Sequence, residues 1–87
     1  MPLTKNGRGV IRLGDSTDHG GKVISVAHTA ATDMGIPIAR VGDMVACPKC
    51  KGVFPIAEGD PQCTILDVPV AFDGHKTACG AALISSI

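Results

Sequence analysis

Short runs of branched apolar residues, each bounded by glycine, aspartate or proline, follow one another along almost the whole chain. Runs of this length and composition predict β-strands rather than helices. The four clearest runs are residues 9–13, 22–26, 36–41 and 68–72. Pro37 and Pro69 lack a backbone N–H, so we expect them at strand starts or edges. The pattern therefore predicts a mainly β fold built from many short strands.

Two segments interrupt this pattern. Residues 27–34, with the sequence AHTAATDM, are the best place for a short helical turn. Residues 58–62, with the sequence EGDPQ, predict a turn or loop because they combine glycine, aspartate and proline. No linker or low-complexity stretch divides the chain, which predicts one domain over residues 1–87.

A unit of strand, turn and strand occurs three times. The copies read GRGVIRLGDSTDH, GIPIARVGDMVAC and DVPVAFDGHKTAC, and they end at His19, Cys47 and Cys79. Aligned without gaps on a shared glycine, they are offset by 42 − 14 = 28 and 74 − 42 = 32 residues. That spacing suits one supersecondary unit per repeat. We therefore expect a small cone or pyramid of short β-hairpins with approximate three-fold symmetry.

The last residue of each copy is a potential metal ligand. Equivalent positions in three symmetric units converge, so His19, Cys47 and Cys79 predict one ion near the apex of the cone. The glycines that follow at positions 20, 21 and 80 suit a crowded point where backbones approach closely and positive φ is needed. A structural zinc site takes four nitrogen or sulfur donors. A fourth ligand is therefore required.

The fourth donor has two candidates. Cys50 completes the sequence Cys-Pro-Lys-Cys, a spacing at which two thiolates chelate one metal, and it is preferred. His75 is the alternative, although an extended chain would hold it roughly 13 Å from Cys79. If His75 is not a ligand, we expect it to hold a neighbouring backbone group.

Cys63 and His28 fall outside the repeated positions. We expect Cys63 to be a buried apolar thiol, as free cysteines often are, and His28 to be an ordinary satisfied or exposed side chain. A set of four cysteines with Cys63 in place of His19 would resemble a zinc ribbon. Such sites pair two Cys-x-x-Cys knuckles, whereas this chain has one.

Size and composition favour a structural metal. The 87 residues include two Phe and neither Trp nor Tyr, so the apolar core is thin, and scaffolds of this size commonly need a metal or a disulfide. The N-terminal sequence lacks a secretory signal, and no run approaches the roughly 20 apolar residues that span a bilayer. We expect synthesis in the cytoplasm, where cysteines stay reduced. Mixed histidine and cysteine donors favour one Zn²⁺ over iron.

Charge and motifs argue against two classes of function. Eight basic and eight acidic residues are interspersed, so the chain shows no basic footprint for nucleic acid. It also contains none of the common catalytic motifs. Asp15 and Asp43 occupy matched turns, where bonding to nearby backbone explains them better than paired catalysis. We expect a structural protein and not an enzyme.

The order of these motifs resembles the PAAR-repeat proteins, which are named for a Pro-Ala-Ala-Arg sequence. The resemblance spans about residues 7–84 and includes Asp-His-Gly-Gly at 18–21, Pro-Ile-Ala-Arg at 37–40, Pro-Val-Ala-Phe at 69–72 and Thr-Ala-Cys-Gly at 77–80. It implies a cone that binds zinc near its tip and caps the trimeric VgrG spike of a bacterial type VI secretion system. Family members tend to have histidine-rich ligand sets, so the fourth donor stays open here.

The resemblance also implies partners and a location. One chain would cap one VgrG trimer, leave the cell at the tip of the apparatus and meet a membrane only during puncture. Some relatives carry effector domains; we expect none here, so that the chain would act either as a bare tip or as an adaptor for a separate effector cargo. Strand edges at the wide end would continue the spike. The candidate contact residues are Ile36, Pro37, Ile38, Val68, Pro69 and Val70. The alternative function is a free-standing zinc-stabilised adaptor for another partner.

Overall fold

The computed structural model describes residues 4–5, 7–28 and 31–86. Within these ranges the chain forms eleven short β-strands and no helix, and hence no helix that could cross a membrane. The strands are β1 Thr4–Lys5, β2 Arg8–Gly9, β3 Ser16–Thr17, β4 Lys22–Ser25, β5 Thr32–Asp33, β6 Ile36–Pro37, β7 Met44–Cys47, β8 Gly52–Pro55, β9 Asp60–Ile65, β10 Val68–Val70 and β11 Leu83–Ile84. The predicted mainly β fold is confirmed.

Each repeat begins with a hairpin. These hairpins are the antiparallel pairs β1–β2, β5–β6 and β9–β10. Their turns fall at equivalent positions, since Lys5 pairs with Arg8, Asp33 with Ile36, and Ile65 with Val68. The second halves of the repeats join in one five-stranded sheet with the order β11-β3-β4-β7-β8. The two halves of each repeat therefore lie in different sheets.

A closed ring of hydrogen bonds connects the three repeats. The N–H of Ile11 donates to the carbonyl of Ala71 (2.9 Å), that of Ala71 to Ala39 (3.1 Å), and that of Ala39 back to Ile11 (2.8 Å). All three residues are fully buried. We call these three residues the central ring. Its cyclic pattern is the predicted approximate three-fold symmetry, expressed in the backbone.

Two apolar clusters fill the interior, and the central ring belongs to the first of them. The ligand-side core contains Ile11, Val23, Val26, Ala39, Val45, Ile56, Ala71 and Leu83. The hairpin-side core contains Val10, Ile38, Val70 and Phe72, with Cys63 and Ile65 packed against it. Cys63 is thus a half-buried apolar side chain, close to its predicted role. The molecule is elongated, with extents of 33 × 23 × 23 Å, and its two equal short axes agree with the predicted approximate three-fold symmetry.

Two of the residues predicted to contact a partner have side chains that are buried within the chain itself. Ile38 and Val70 belong to the hairpin-side core and have only 6% and 0% of their surface exposed. The reason is that the chain passes from the open hairpin into the centre of the molecule between residues 36 and 38, so that Ile36 keeps 36% exposure. Pro37, Val68 and Pro69 are half-buried. Their contact with a partner stays a prediction.

The turn after the central ring has the same construction in every repeat. Its glycine has positive φ, at 91° for Gly14, 94° for Gly42 and 90° for Gly74. The next side chain accepts a hydrogen bond from a backbone N–H three residues earlier: Asp15 from Arg12 (2.8 Å), Asp43 from Arg40 (2.7 Å) and His75, through Nδ1, from Phe72 (2.8 Å). The expected turn chemistry of the aspartates is confirmed, and His75 performs the same task.

Two local predictions were wrong in part. Thr32–Asp33 is a strand, and Met34 and Gly35 form the hairpin turn with φ of 54° and 82°, so no helical turn is present there; positions 29 and 30 lie outside the described residues. The hairpin common to all repeats overrides the weak local preference. The loop predicted at 58–62 ends early, because β9 already begins at Asp60, which pairs with Val70.

Buried arginines fasten one repeat to the hairpin of the next. Arg12 places Nη1 3.5 Å from the carboxylate of Asp33 on β5 and donates from Nη2 to the hydroxyl of Ser86 at 2.7 Å. Arg40 donates from Nη1 to the carbonyl of Ile65 on β9 at 2.8 Å. Phe72 occupies the equivalent position in the third repeat and packs in the hairpin-side core.

Candidate metal centre

The three repeat ends meet at one end of the molecule. His19 lies in the turn between β3 and β4, Cys47 ends β7, and Cys79 lies in the turn before β11. Together with Cys50 they place one donor atom each within 4.8 Å of one another. We call this group the donor cluster. It contains the three residues predicted from the repeat and the preferred fourth donor.

Cys50 comes from an insertion that only the second repeat contains. Val23, Ile56 and Leu83 are equivalent, because the N–H of each donates at 2.8 Å to the carbonyl of the turn residue Asp15, Asp43 or His75. From His19 to Val23, and again from Cys79 to Leu83, is 4 residues, whereas from Cys47 to Ile56 is 9. The insertion of 9 − 4 = 5 residues returns the chain to the cluster and supplies its fourth donor.

The distances suit a tetrahedral ion. Nδ1 of His19 lies 3.6 Å from Sγ of Cys47. Tetrahedral zinc with bonds of about 2.05 Å to nitrogen and 2.3 Å to sulfur separates such atoms by about 3.6 Å. The opposite ring nitrogen, Nε2, faces the carboxylate of Asp18 at 3.8 Å. A carboxylate on the far side of a ligating imidazole orients the ring and raises its basicity.

Two thiols of the donor cluster have pKa values shifted in opposite directions. The hydroxyl of Thr77, 3.1 Å from Sγ of Cys79, is the largest cause that lowers the pKa of Cys79 to about 6. Hydrogen bonding to the thiols of Cys47 and then Cys79 raises the pKa of Cys50 to about 11. One thiolate therefore forms readily and is stabilised by its neighbours. A metal ion would displace the remaining thiol protons, as ligation by cysteine requires.

Crowding at this end accounts for its glycines. A Cβ on Gly21 would lie only 2.0 Å from the carbonyl oxygen of Ala46, the residue before Cys47. Gly20 and Gly80 have φ of 79° and 86°, a region that residues with a Cβ rarely adopt. Both predicted reasons for these glycines, close approach and positive φ, are confirmed.

His28, His75 and Cys63 lie outside the donor cluster. His75, the alternative ligand, is committed to the backbone of Phe72. Burial, followed by the positive charge of Arg8, lowers the pKa of His75 and so favours its neutral form. His28 is half-buried and, like Cys63, contributes no donor to the group. The four-cysteine alternative is therefore not the arrangement in the structure.

Sequence reasoning missed two supporting residues, Thr77 and Asp18. Thr77 is buried and stands two positions before Cys79, as Thr17 stands two positions before His19. Thr17 uses its hydroxyl to accept the N–H of Gly21 at 3.0 Å. The repeated threonine was a signal in the sequence for a side chain that stabilises the ligand turn. No comparable repetition marked Asp18.

The chemistry of the cluster is that of a site for one metal ion. Three sulfur atoms and one imidazole nitrogen complete a four-coordinate shell, which is typical of structural rather than catalytic zinc. Cys47 is buried, whereas Cys50 is exposed. The shell thus has one side in the protein and one side, formed by the insertion, towards solvent.

Comparison with known proteins agrees with this architecture. No curated protein matches the chain. The PAAR motif family matches residues 13–85, a stretch that contains the whole donor cluster and all three glycine turns. Because this match covers most of the sequence, the chain belongs to the PAAR motif family.

Proposed function

We propose that this protein is the structural tip of a type VI secretion spike, where one chain caps a VgrG trimer. PAAR motifs are associated with such tips. The observation that carries the proposal is the central ring, in which Ile11, Ala39 and Ala71 exchange hydrogen bonds cyclically. A single chain with this internal symmetry presents three similar surfaces, one to each subunit of a symmetric trimer.

The metal in this proposal is one structural Zn²⁺ held by the donor cluster. Three of its ligands end three different repeats, so the ion fastens the three ligand turns to one another. Such a crosslink stiffens the tip for membrane puncture without a large core. The full ligand shell leaves no position for a substrate, which supports a protein that is not an enzyme.

The proposed cellular location of the chain follows from its role as the spike tip. The chain is made in the bacterial cytoplasm, assembles on the spike there and leaves the cell at the tip of the apparatus. An effector can travel with it by binding to the exposed sides of the cone.

Native mass spectrometry tests the proposal directly. The chain is measured alone and after mixing with the purified VgrG trimer from the same organism. We expect one zinc per chain and a complex of one chain with three VgrG subunits. A metal-bound chain that forms no such complex would instead support the free-standing adaptor, and a folded chain without metal would refute the structural zinc.

A further inference from the structure

Two hairpin turns hold large apolar side chains in an unfavourable setting. Met34 in the turn β5–β6 has φ of 54° and 66% exposure, and Leu66 in the turn β9–β10 has φ of 52° and 71% exposure. They are the most exposed large hydrophobic residues of the described chain. Residues with a Cβ rarely adopt positive φ, and glycine or asparagine fills such positions more easily.

Folding therefore gains little from these two side chains. Their backbone conformation is strained for a methionine or a leucine, and their exposure means that they bury little apolar surface within the chain. Other exposed apolar residues differ in this respect. Ile24 and Val53 are about half exposed, at 51% and 49%, but they lie in the strands β4 and β8, where branched residues are favoured.

Met34 and Leu66 are also related by the repeat. Their separation, 66 − 34 = 32, equals the offset of the second and third copies. Counting back by the first offset, 34 − 28 = 6, gives Asn6, which lies outside the described residues. Two of the three repeats thus carry an apolar residue where the first carries an asparagine.

We propose that Met34 and Leu66 are anchor residues that insert into two equivalent apolar pockets of the trimer beneath the hairpins. This inference rests on the proposed function and specifies how the contact is made. The three-fold arrangement of the hairpins gives the two anchors symmetry-related positions, so a trimer with one pocket per subunit receives both. The third pocket meets the repeat that carries Asn6. Capping is therefore unequal, with two of the three subunits contributing most of the binding energy.

The hairpins are suited to this contact by their position. The hairpin strands β9 and β10 contribute residues to the hairpin-side core, whereas β4, β7 and β11, which adjoin the donor cluster, contribute residues to the ligand-side core. Ile36, next to the turn on β6 and 36% exposed, extends the apolar surface around Met34. A few side chains that fill desolvated pockets near the centre of an interface carry most of its binding energy, and an aliphatic side chain can serve as such an anchor.

The test is a set of asparagine substitutions, which suit positive φ and remove the apolar side chain. M34N, L66N and the double variant are compared with the wild type for affinity to the purified VgrG trimer, by calorimetry, and for thermal stability with zinc bound. The matched control is I24T, which removes a similarly exposed apolar side chain from a strand. We expect each anchor variant to bind about tenfold more weakly, and the double variant about a hundredfold, with unchanged or higher stability. The control should bind like the wild type.

Failure of this inference is distinct from failure of capping. If the wild type binds the trimer and the anchor variants bind equally well, the anchors are refuted while capping stands. If the variants lose thermal stability, Met34 and Leu66 serve the fold, and the inference is again overturned. If the wild type itself does not bind the trimer, the proposed function fails and the anchor role fails with it.

Discussion

The two ends of this molecule are held together in different ways. At the ligand end, turns from three repeats meet through the four donor side chains, and the adjoining core residues are small or medium in size. At the hairpin end, Phe72 fills the centre of an apolar cluster, and two buried arginines fasten neighbouring repeats to each other. One end is built around four side chains that can bind a metal ion, and the other around apolar packing and buried charge.

The difference shows how a chain of 87 residues can fasten the turns of three repeats to one another. None of the four donor residues belongs to either apolar cluster, so coordination adds a connection that apolar packing does not make there. Coordination is short-range and strong, and it needs only four atoms. The hairpin end is fastened instead by Phe72 and the two buried arginines. The two ends should consequently differ in how they respond to the loss of single interactions.

Metal removal should have the largest effect and should separate the ends most clearly. Structural zinc contributes about 10 kcal/mol in small zinc domains, comparable to the whole stability of a domain. We expect a chelator to lower the melting temperature more than any substitution considered below. Hydrogen exchange should rise first at Thr17 and Thr77 and last at Ile11, Ala39 and Ala71.

The control for metal removal is C63S, which changes a cysteine outside the donor cluster and should leave the zinc content at one per chain. If the central ring exchanges as fast as the ligand turns, the two ends form a single cooperative unit and the comparison is wrong.

Arg12→Met probes the hairpin end. Asp33 is 7% exposed, and without Arg12 its carboxylate stays buried with no facing guanidinium. We expect a loss of about 4 kcal/mol, measured by urea unfolding with zinc bound. Arg40→Met should be milder, at about 1–2 kcal/mol, because Arg40 donates to a backbone carbonyl rather than to a carboxylate.

The double variant R12M/D33N should recover part of the stability, since the buried charge of Asp33 is removed together with the guanidinium that faces it. Equal losses for the two arginines would show that the Asp33 ion pair contributes nothing beyond an ordinary hydrogen bond.

Gly21→Ala probes the crowded ligand end. The added methyl group meets the carbonyl of Ala46, which must move together with the neighbouring Cys47. We expect a loss of about 3 kcal/mol and weaker zinc binding in a chelator competition. Gly20→Ala is the matched control: nothing lies within 4 Å of its Cβ, so only the strain of positive φ remains, about 1 kcal/mol. Equal zinc affinities in the two variants would contradict the crowding.

The smallest expected effect on stability comes from the protonation of His75. Its pKa is lowered mainly by burial, so the folded state favours the neutral ring that accepts the N–H of Phe72. The unfolded state then binds more protons, and stability rises with pH. The contribution of His75 is present above its ordinary pKa of 6.5 and is lost as pH falls through the lowered value.

H75D restores the residue type of the other two turns and serves as the reference for this titration. We expect the wild type to lose melting temperature relative to H75D between pH 7 and pH 5. Parallel curves for the two proteins would show that protonation of His75 does not affect the fold.

The repeats made most of the site predictable. His19, Cys47 and Cys79 followed from their common position, and Cys50 from its spacing to Cys47. The unequal roles of Ile36 and Ile38 were not predictable, because both stand on the same face of an ideal strand, and only the bend into the central ring separates them. The strand at Thr32–Asp33 was missed for a related reason: its local sequence is ambiguous, and its pairing with Ile36–Pro37 decides the structure. The contact of Thr77 with Cys79 was not predictable, because the sequence does not show which hydroxyl lies beside a thiol.

Through the central ring, a single polypeptide also reproduces the arrangement of a symmetric trimer. Three copies of a single unit of about thirty residues could close the same cycle of hydrogen bonds. In such a homotrimer, however, every mutation appears in all three subunits at once. Covalent linkage frees each third to diverge. The five-residue insertion with Cys50, Phe72 in place of an arginine, and His75 in place of an aspartate are such divergences. A symmetric frame can in this way carry an asymmetric surface, which lets one side of the molecule acquire a contact that the other two do not share.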